Sequence, residues 1–392
     1  MPAKKRPSEY LEQARSFVRD YTAGLNVKEV KRLFDEEAPQ AYKVLARDQK
    51  AIESKDEVTR FFAMSKVVFL GISARLTPTR RALFLISILT LLWGLLTAAG
   101  LRVTVFFPLS PLFNASTLWL LFSAAGLLFL LTMELVDRVR VRDELEVARE
   151  LQRDLMPYAA PSLDGYRFAH SYRTANEVGG DYYDFLVLPD GRLGLLIGDA
   201  SGHGIAAGLL MAIANATLKT AIEIDPAPLE VARLLNTTLC RTGDRRAFMT
   251  LFYAVLEPDS GRLDYVCAGH PFPLLRRTSG RVEELGEGSL PLGMRDEPTL
   301  PQGHLVLEPG DLLVLFTDGL AEATAGAKQR AFGFDRLHNL TAAGGAPVDV
   351  HKRIMGAFGG HVGDGPLTDD ITLVVIGRDS ASATGPPPAP PA

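Results

Sequence analysis

VGGDYYDFLVLPDGRLGLLIGDASGHG, Val178 to Gly204, is the stretch whose reading decides the fold. Strand patterns run from Tyr182 to Leu188 and from Leu193 to Ile197, and Pro189, Asp190 and Gly191 supply a hairpin turn between them. That pairing sets two glycine-preceded aspartates, Asp181 and Asp199, side by side. After Asp199 the run Ser201-Gly202-His203-Gly204 permits a sharp turn, and Ile205 to Ile222 reads as a helix rich in Ala, Leu and Met. Asp and Gly are also the ordinary residues of turns, so either aspartate alone is equally read as a turn former.

The C-terminal half adds to the pair. Leu312 to Thr317 is a short strand-like run ending in Asp318 and Gly319, and Asp369 with Asp370 immediately precedes the apolar run Ile371 to Ile376. Acidic residues at successive strand ends form a hard oxygen set suited to Mg²⁺ or Mn²⁺. Zinc would call for His and Cys, of which the whole chain has only 7 and 2.

Five motifs occur in order: EVGGDYYDF (Glu177 to Phe185), GDASGHG (Gly198 to Gly204), AGHPFPLL (Ala268 to Leu275), PGDLLVLFTDGLAEA (Pro309 to Ala323) and DDITLVV (Asp369 to Val375). Together, over Leu151 to Gly377, they resemble the bacterial SpoIIE and RsbU branch of the metal-dependent protein phosphatase 2C superfamily. The resemblance implies an α+β fold, an αββα sandwich with two divalent cations, Mn or Mg, between its sheets. By motif position Asp181 binds one ion, Asp199 bridges both, the backbone carbonyl of Ala200 assists, and Asp318 and Asp369 complete the set. The family commonly has Val where Ala200 stands, which a carbonyl ligand tolerates. Asp370 is the alternative to Asp369.

Two ions about 3.5–4 Å apart can share a water, lower its pKa and hold it in line with a phosphoryl group. No side-chain nucleophile is then needed, so Ser201 is read as a turn residue. Histidine is the usual proton carrier near neutral pH. In eukaryotic relatives a histidine lies two residues after the bridging aspartate, whereas here that position is Ser201. The general-acid role therefore does not carry over to His203, and His203 and His270 are read as shaping loops.

Working outward, 392 residues with 47% hydrophobic content allow two domains with appendages, and a net charge of −4 gives no electrostatic case for nucleic acid. Cys240 and Cys267 have no metal-ligand spacing and read as free thiols. Residues 1–81 are charged and helical in pattern. Capping-box spacings at Asn26/Glu29 and Ser54/Glu57 start helices at Val27 and Lys55, and Val58, Phe61, Phe62, Ser65 and Phe69 share one face. Residues 82–100 and 112–133 are uncharged, long enough to cross a bilayer at 1.5 Å per residue, and form a transmembrane hairpin over 82–133. A buried hairpin of a soluble domain is the alternative. Arg75, Arg80 and Arg81 precede the hairpin and Arg138, Arg140 and Arg142 follow it, against Arg102 alone in the connection. The positive-inside rule then puts the N-terminus and the catalytic domain in the cytoplasm, on a multi-pass inner-membrane protein.

Residues 134–157 read as a charged linker helix. Val141, Leu145, Ala148, Gln152 and Leu155 follow an a/d spacing that suits either a homodimeric coiled coil or a helix lying on its own catalytic domain. ELQRDLMP (Glu150 to Pro157) also resembles the family's linker. The catalytic domain is expected over 158–379, with strands at Phe248 to Leu256 and Leu263 to Ala268 and a helix at Asp349 to Phe358. A disordered Pro/Ala/Ser tail over 380–392 follows. The resemblance implies a membrane-anchored serine/threonine protein phosphatase whose substrate is a phosphorylated anti-anti-sigma (STAS) protein. A non-catalytic docking module of the same fold and a small-molecule phosphohydrolase are the competing readings.

Overall fold

Along Leu193 to Ala200, Leu193, Leu195 and Ile197 enter one apolar cluster while Leu196 and Ala200 enter another. A strand buried on both faces needs cover on both, which requires a layered structure. The computed structural model describes residues 57–99, 115–242, 247–324, 330–363, 365 and 367–380. These fall into two compact units that divide after Val139.

The C-terminal unit contains β1 (Tyr166–Arg173), β2 (Asp181–Val187), β3 (Leu193–Ala200), α4 (Ile205–Ile224), α5 (Pro228–Thr242), β4 (Met249–Leu256) and β5 (Arg262–Ala268). There follow β6 (Leu274–Arg276), β7 (Val282–Glu284), β8 (Gln302–Val306), β9 (Leu312–Phe316), α6 (Asp318–Glu322), α7 (Phe334–Ala342), α8 (Pro347–Val362) and β10 (Ile371–Arg378). Two five-stranded sheets, in the orders β1-β10-β9-β6-β7 and β2-β3-β4-β5-β8, are antiparallel throughout. Phe252, Ala254, Leu313, Leu315, Val374 and Ile376 fill the space between them. Tyr253, Val255 and Leu251 face α4 and α5, while Phe316, Leu373 and Val375 face α7 and α8. The result is the expected αββα sandwich.

The N-terminal unit contains α1 (Glu57–Arg75), α2 (Pro78–Ala98) and most of α3 (Ala115–Leu155). Helix α2 begins before the uncharged run, with Pro78 in its first turn, where a missing N–H costs nothing. The second apolar run and the linker form one uninterrupted 41-residue helix. In α2 and α3 only 11% of each apolar window is buried, and Leu89, Leu95, Phe122 and Leu128 are exposed. The equally apolar α4 has 50% of its window buried, within the sandwich. On α1, Phe69 stacks on Phe84 and Val67 is buried, whereas Ser65, expected on the packed face, is exposed. The helix starts at Val27 and Lys55, the beginning of the second span and the tail from 381 lie outside the described residues, as do the side chains of Val58, Phe61 and Phe62.

Candidate active site

Strand ends carry the site. Asp181 opens β2, Asp199 lies one residue before the end of β3, and the antiparallel register places them directly opposite each other. Asp318 opens α6 just beyond β9, and Asp369 lies two residues before β10. Asp181 is 1% exposed, a burial that a carboxylate tolerates only with donors to its oxygens. Thr317 Oγ1 at 2.8 Å and Thr372 Oγ1 at 2.6 Å both donate to its Oδ2. Because Asp181 and Thr372 belong to different sheets, these bonds tie the two sheets together at the site.

Asp199 is held through its backbone: its N–H donates to Thr250 Oγ1 at 3.1 Å, and the same hydroxyl bonds His270 Nδ1 at 2.9 Å. The Ala200 N–H donates to the Gly180 carbonyl at 3.1 Å. A β-carbon on Gly180 would sit 2.7 Å from the Ala200 carbonyl oxygen and 2.9 Å from Asp199 Oδ1. Glycine there keeps open a small space bounded by two oxygens, both from residues expected to bind metal. The two adjacent aspartates separate clearly. Asp370 is buried, its Oδ1 accepting from the Ala175 N–H at 2.8 Å and its Oδ2 from the Gly180 N–H at 2.5 Å. Asp369 is exposed, and its Oδ1 accepts the Asp370 N–H at 2.9 Å.

Electrostatics follow from this crowding. Burial, then the charges of Asp318, Asp369 and Asp370, push the Asp199 carboxyl up to about 8. Burial and the Asp199 charge raise Asp181, and burial with the Asp369 charge raises Asp318. Among the described residues no three His, Cys, Asp or Glu side chains stand close enough, as placed, to ligate one ion. The carboxylates face a common region and feel one another's charge without closing on a point. Their mutual repulsion is what a divalent cation cancels, and hard oxygens are its preferred donors, so the residues fit such an ion once their side chains turn inward.

The histidines take separate places. His203 is exposed, whereas His270 is 3% exposed and burial lowers its imidazole to about 3, leaving it neutral. Ser201 is fixed in the loop, its Oγ accepting the Phe248 N–H at 3.0 Å. The threonines Thr250, Thr317 and Thr372 are site residues that motif reading does not single out. Their only sequence signal is position, since Thr317 immediately precedes Asp318 and Thr372 follows Asp370 by two. Gln152 is a second such residue. It is buried at the end of α3, and its amide brackets Gly179, donating to the carbonyl at 2.6 Å and accepting from the N–H at 2.9 Å.

Comparison with known proteins accords with this geometry. The model of the Stage II sporulation protein E (SpoIIE) family matches residues 189–379. Over those residues the chain is similar to the SpoIIE family. Protein IcfG of Synechocystis is 28% identical over 278 residues, 64% of this chain and 44% of IcfG. Phosphoserine phosphatase RsbU of Bacillus subtilis is 27% identical over 244 residues, 61% of this chain and 71% of RsbU. The chain thus spans less than half the length of IcfG. The SiaA PP2C domain of Pseudomonas aeruginosa superposes with a TM-score of 0.56 at 21% identity, covering 62% of this chain and 99% of that domain. That likeness shows the fold of the C-terminal unit.

Proposed function

We propose that the chain is a membrane-anchored, divalent-cation-dependent protein serine/threonine phosphatase. The observation that carries this reading is the placement of Asp181, Asp199, Asp318 and Asp369 at neighbouring strand ends, where burial and then the neighbouring carboxylates push Asp199 up to about 8. The similarity to a protein named phosphoserine phosphatase supports the substrate chemistry. Asp181, Asp199, Asp318, Asp369 and the Ala200 carbonyl hold two cations, Mn²⁺ or Mg²⁺. Bound there, the ions supply Lewis-acid polarisation of the phosphoryl oxygens and lower the pKa of water. The chain's own residues prepare that site. Thr317 and Thr372 hold Asp181 through one oxygen, Thr250 holds the Asp199 backbone, and Asp370 fixes the Gly180 N–H beside them.

The substrate we favour is a phosphorylated STAS-type anti-anti-sigma protein, dephosphorylated to release a sigma factor by partner switching. Helices α2 and α3 are the anchor, and the Val141 to Ala148 part of α3 is the surface for a second copy.

The test uses the full chain in lipid nanodiscs with a phosphoserine-bearing STAS protein, a nucleotide and a sugar phosphate. Phosphate release is expected from the phosphoprotein alone, with Mn²⁺ or Mg²⁺, abolished by EDTA and by Asp199→Asn. Release from the small molecules instead would overturn the substrate assignment. Silence with metal bound would return the fold to a docking role.

A further inference from the structure

A second cluster of charge, of the opposite sign, lies beside the carboxylate site. Between the end of α3 and the end of β1 is a cleft of about 390 Å³, lined by Arg149, Gln152 and Arg153 on one side and Tyr172, Arg173 and Thr174 on the other. Positions 149, 152 and 153 have i, i+3, i+4 spacing, so one face of α3 presents both arginines and the glutamine together. Of the residues around the carboxylate site only Gln152 also lines the cleft, and no carboxylate lines it. Among the described residues none of the three arginines has an Asp or Glu oxygen within the 4.0 Å of an ion pair.

Three guanidinium groups gathered around one cleft repel one another, and in water that cost is relieved by an anion. The planar, multiply donating guanidinium matches phosphate oxygens better than any other side chain does. The threonine hydroxyl of Thr174 adds a neutral donor. The Tyr172 hydroxyl is closed off from solvent with no hydrogen-bond partner, an arrangement that costs stability unless a ligand oxygen satisfies it. On α3 itself Glu150 and Asp154 adjoin Arg149 and Arg153 in sequence, and on the other side Asp370 lies near the Tyr172 hydroxyl around Gly179. Its two oxygens already accept backbone N–H groups from Ala175 and Gly180.

We infer that this cleft binds a phosphate-bearing anion that ties α3 to β1. The position gives the binding a consequence. Gln152 reaches from the same helix face to both backbone groups of Gly179, one residue before Gly180 and two before Asp181. An anion shared by Arg149, Arg153 and Arg173 therefore fastens the helix on which that bracket depends. The source is either a free phosphate compound or a lipid headgroup, which present the same chemistry.

The experiment titrates inorganic phosphate and pyrophosphate into the full chain in phosphatidylcholine nanodiscs, by calorimetry against chloride of equal ionic strength. Divalent ions are first removed by dialysis, so that the carboxylate site itself repels anions. Saturable binding with Kd below about 1 mM is expected, weakened at least tenfold by Arg149→Gln, Arg153→Gln or Arg173→Gln and retained in Asp199→Asn. These arginines are exposed, so their substitution leaves the core intact. Hydrogen exchange over residues 149–156 should slow on adding phosphate in the unsubstituted chain and in Asp199→Asn, and not in the arginine variants. Nanodiscs containing phosphatidylglycerol separate the sources: a headgroup ligand protects 149–156 without added phosphate, whereas a free ligand leaves the titration unchanged. No saturable binding beyond chloride and no headgroup protection, or binding indifferent to all three arginines, overturns the inference.

Discussion

Asp369 and Asp370 show how far apart two neighbouring carboxylates can be in role. Asp370 is 6% exposed and spends both oxygens on backbone N–H groups, one of them on Gly180 beside the presumed metal space. Asp369 is exposed and keeps an oxygen beyond its single bond to the Asp370 N–H. Asp369→Asn is therefore expected to leave the unfolding midpoint in urea unchanged while lowering phosphatase activity by at least roughly 100-fold, more than outer-shell changes usually cost. Asp370→Asn retains one acceptor oxygen and strands one buried N–H, so it should lose about 1–3 kcal/mol of stability. Paired urea titrations and metal-dependent assays decide the matter, and the opposite pattern would assign the ligand to Asp370. In the sequence, glycine and strand pattern single out Asp181, Asp199 and Asp318, whereas Asp369 is marked only by the apolar run that follows it. Thr317 and Thr372 were not, since a threonine next to an acidic residue has no signature until two sheets bring it onto Asp181.

Among elements, β3, β4, β9 and β10 were readable because apolar runs of this length at turn boundaries leave few alternatives. The edge strands β6 and β7 have three residues each, too short for any periodicity, and they exist only because β9 offers an unpaired edge. The end of α3 was ambiguous for a different reason. An a/d spacing looks the same whether the seam meets a second helix or the chain's own domain, and at Gln152 and Leu155 the structure chooses the domain. The consequence is testable. Gln152→Ala leaves the Gly179 N–H and carbonyl without a partner in a buried place, at about 1–3 kcal/mol for each group. Hydrogen exchange at the Gly179 amide should accelerate and phosphatase activity should fall, because Gly180 and Asp181 follow directly. Gln152→Glu keeps an acceptor for the N–H and loses the donor to the carbonyl, so it should lie between the two. Equal exchange and activity in all three proteins would reduce the bracket to a packing contact.

For the molecule as a whole, the decisive question is how the apolar hairpin sits in a membrane. Contacts between α2 and α3 run in opposite directions along the two helices: Arg80 pairs with Glu134 and Asp137, Ser123 Oγ donates to the Ser87 carbonyl at 2.7 Å, and Gly94 lies against Leu120. Small residues at Ser87, Gly94, Ser123 and Gly126 let the helices approach closely, the packing that serves where lipid supplies no hydrophobic drive between helices. On the proposed anchor, the charged pairing of Arg80 is the end of the hairpin at which both helices should leave the apolar layer. In sequence Arg75, Arg80 and Arg81 precede the hairpin and Arg138, Arg140 and Arg142 follow it, against Arg102 alone in the connection, so that end should face the cytoplasm. In a background with Cys240 and Cys267 replaced by Ser, Leu109→Cys is expected to react with a membrane-impermeant maleimide in intact cells. Arg142→Cys should react only after permeabilisation. Labelling of both from outside would break the hairpin, and labelling of Arg142→Cys alone would invert it, moving the C-terminal domain to a compartment without cytoplasmic phosphoproteins. The orientation therefore bears on the function as directly as the aspartates do, since a phosphoprotein substrate must share the domain's side of the bilayer.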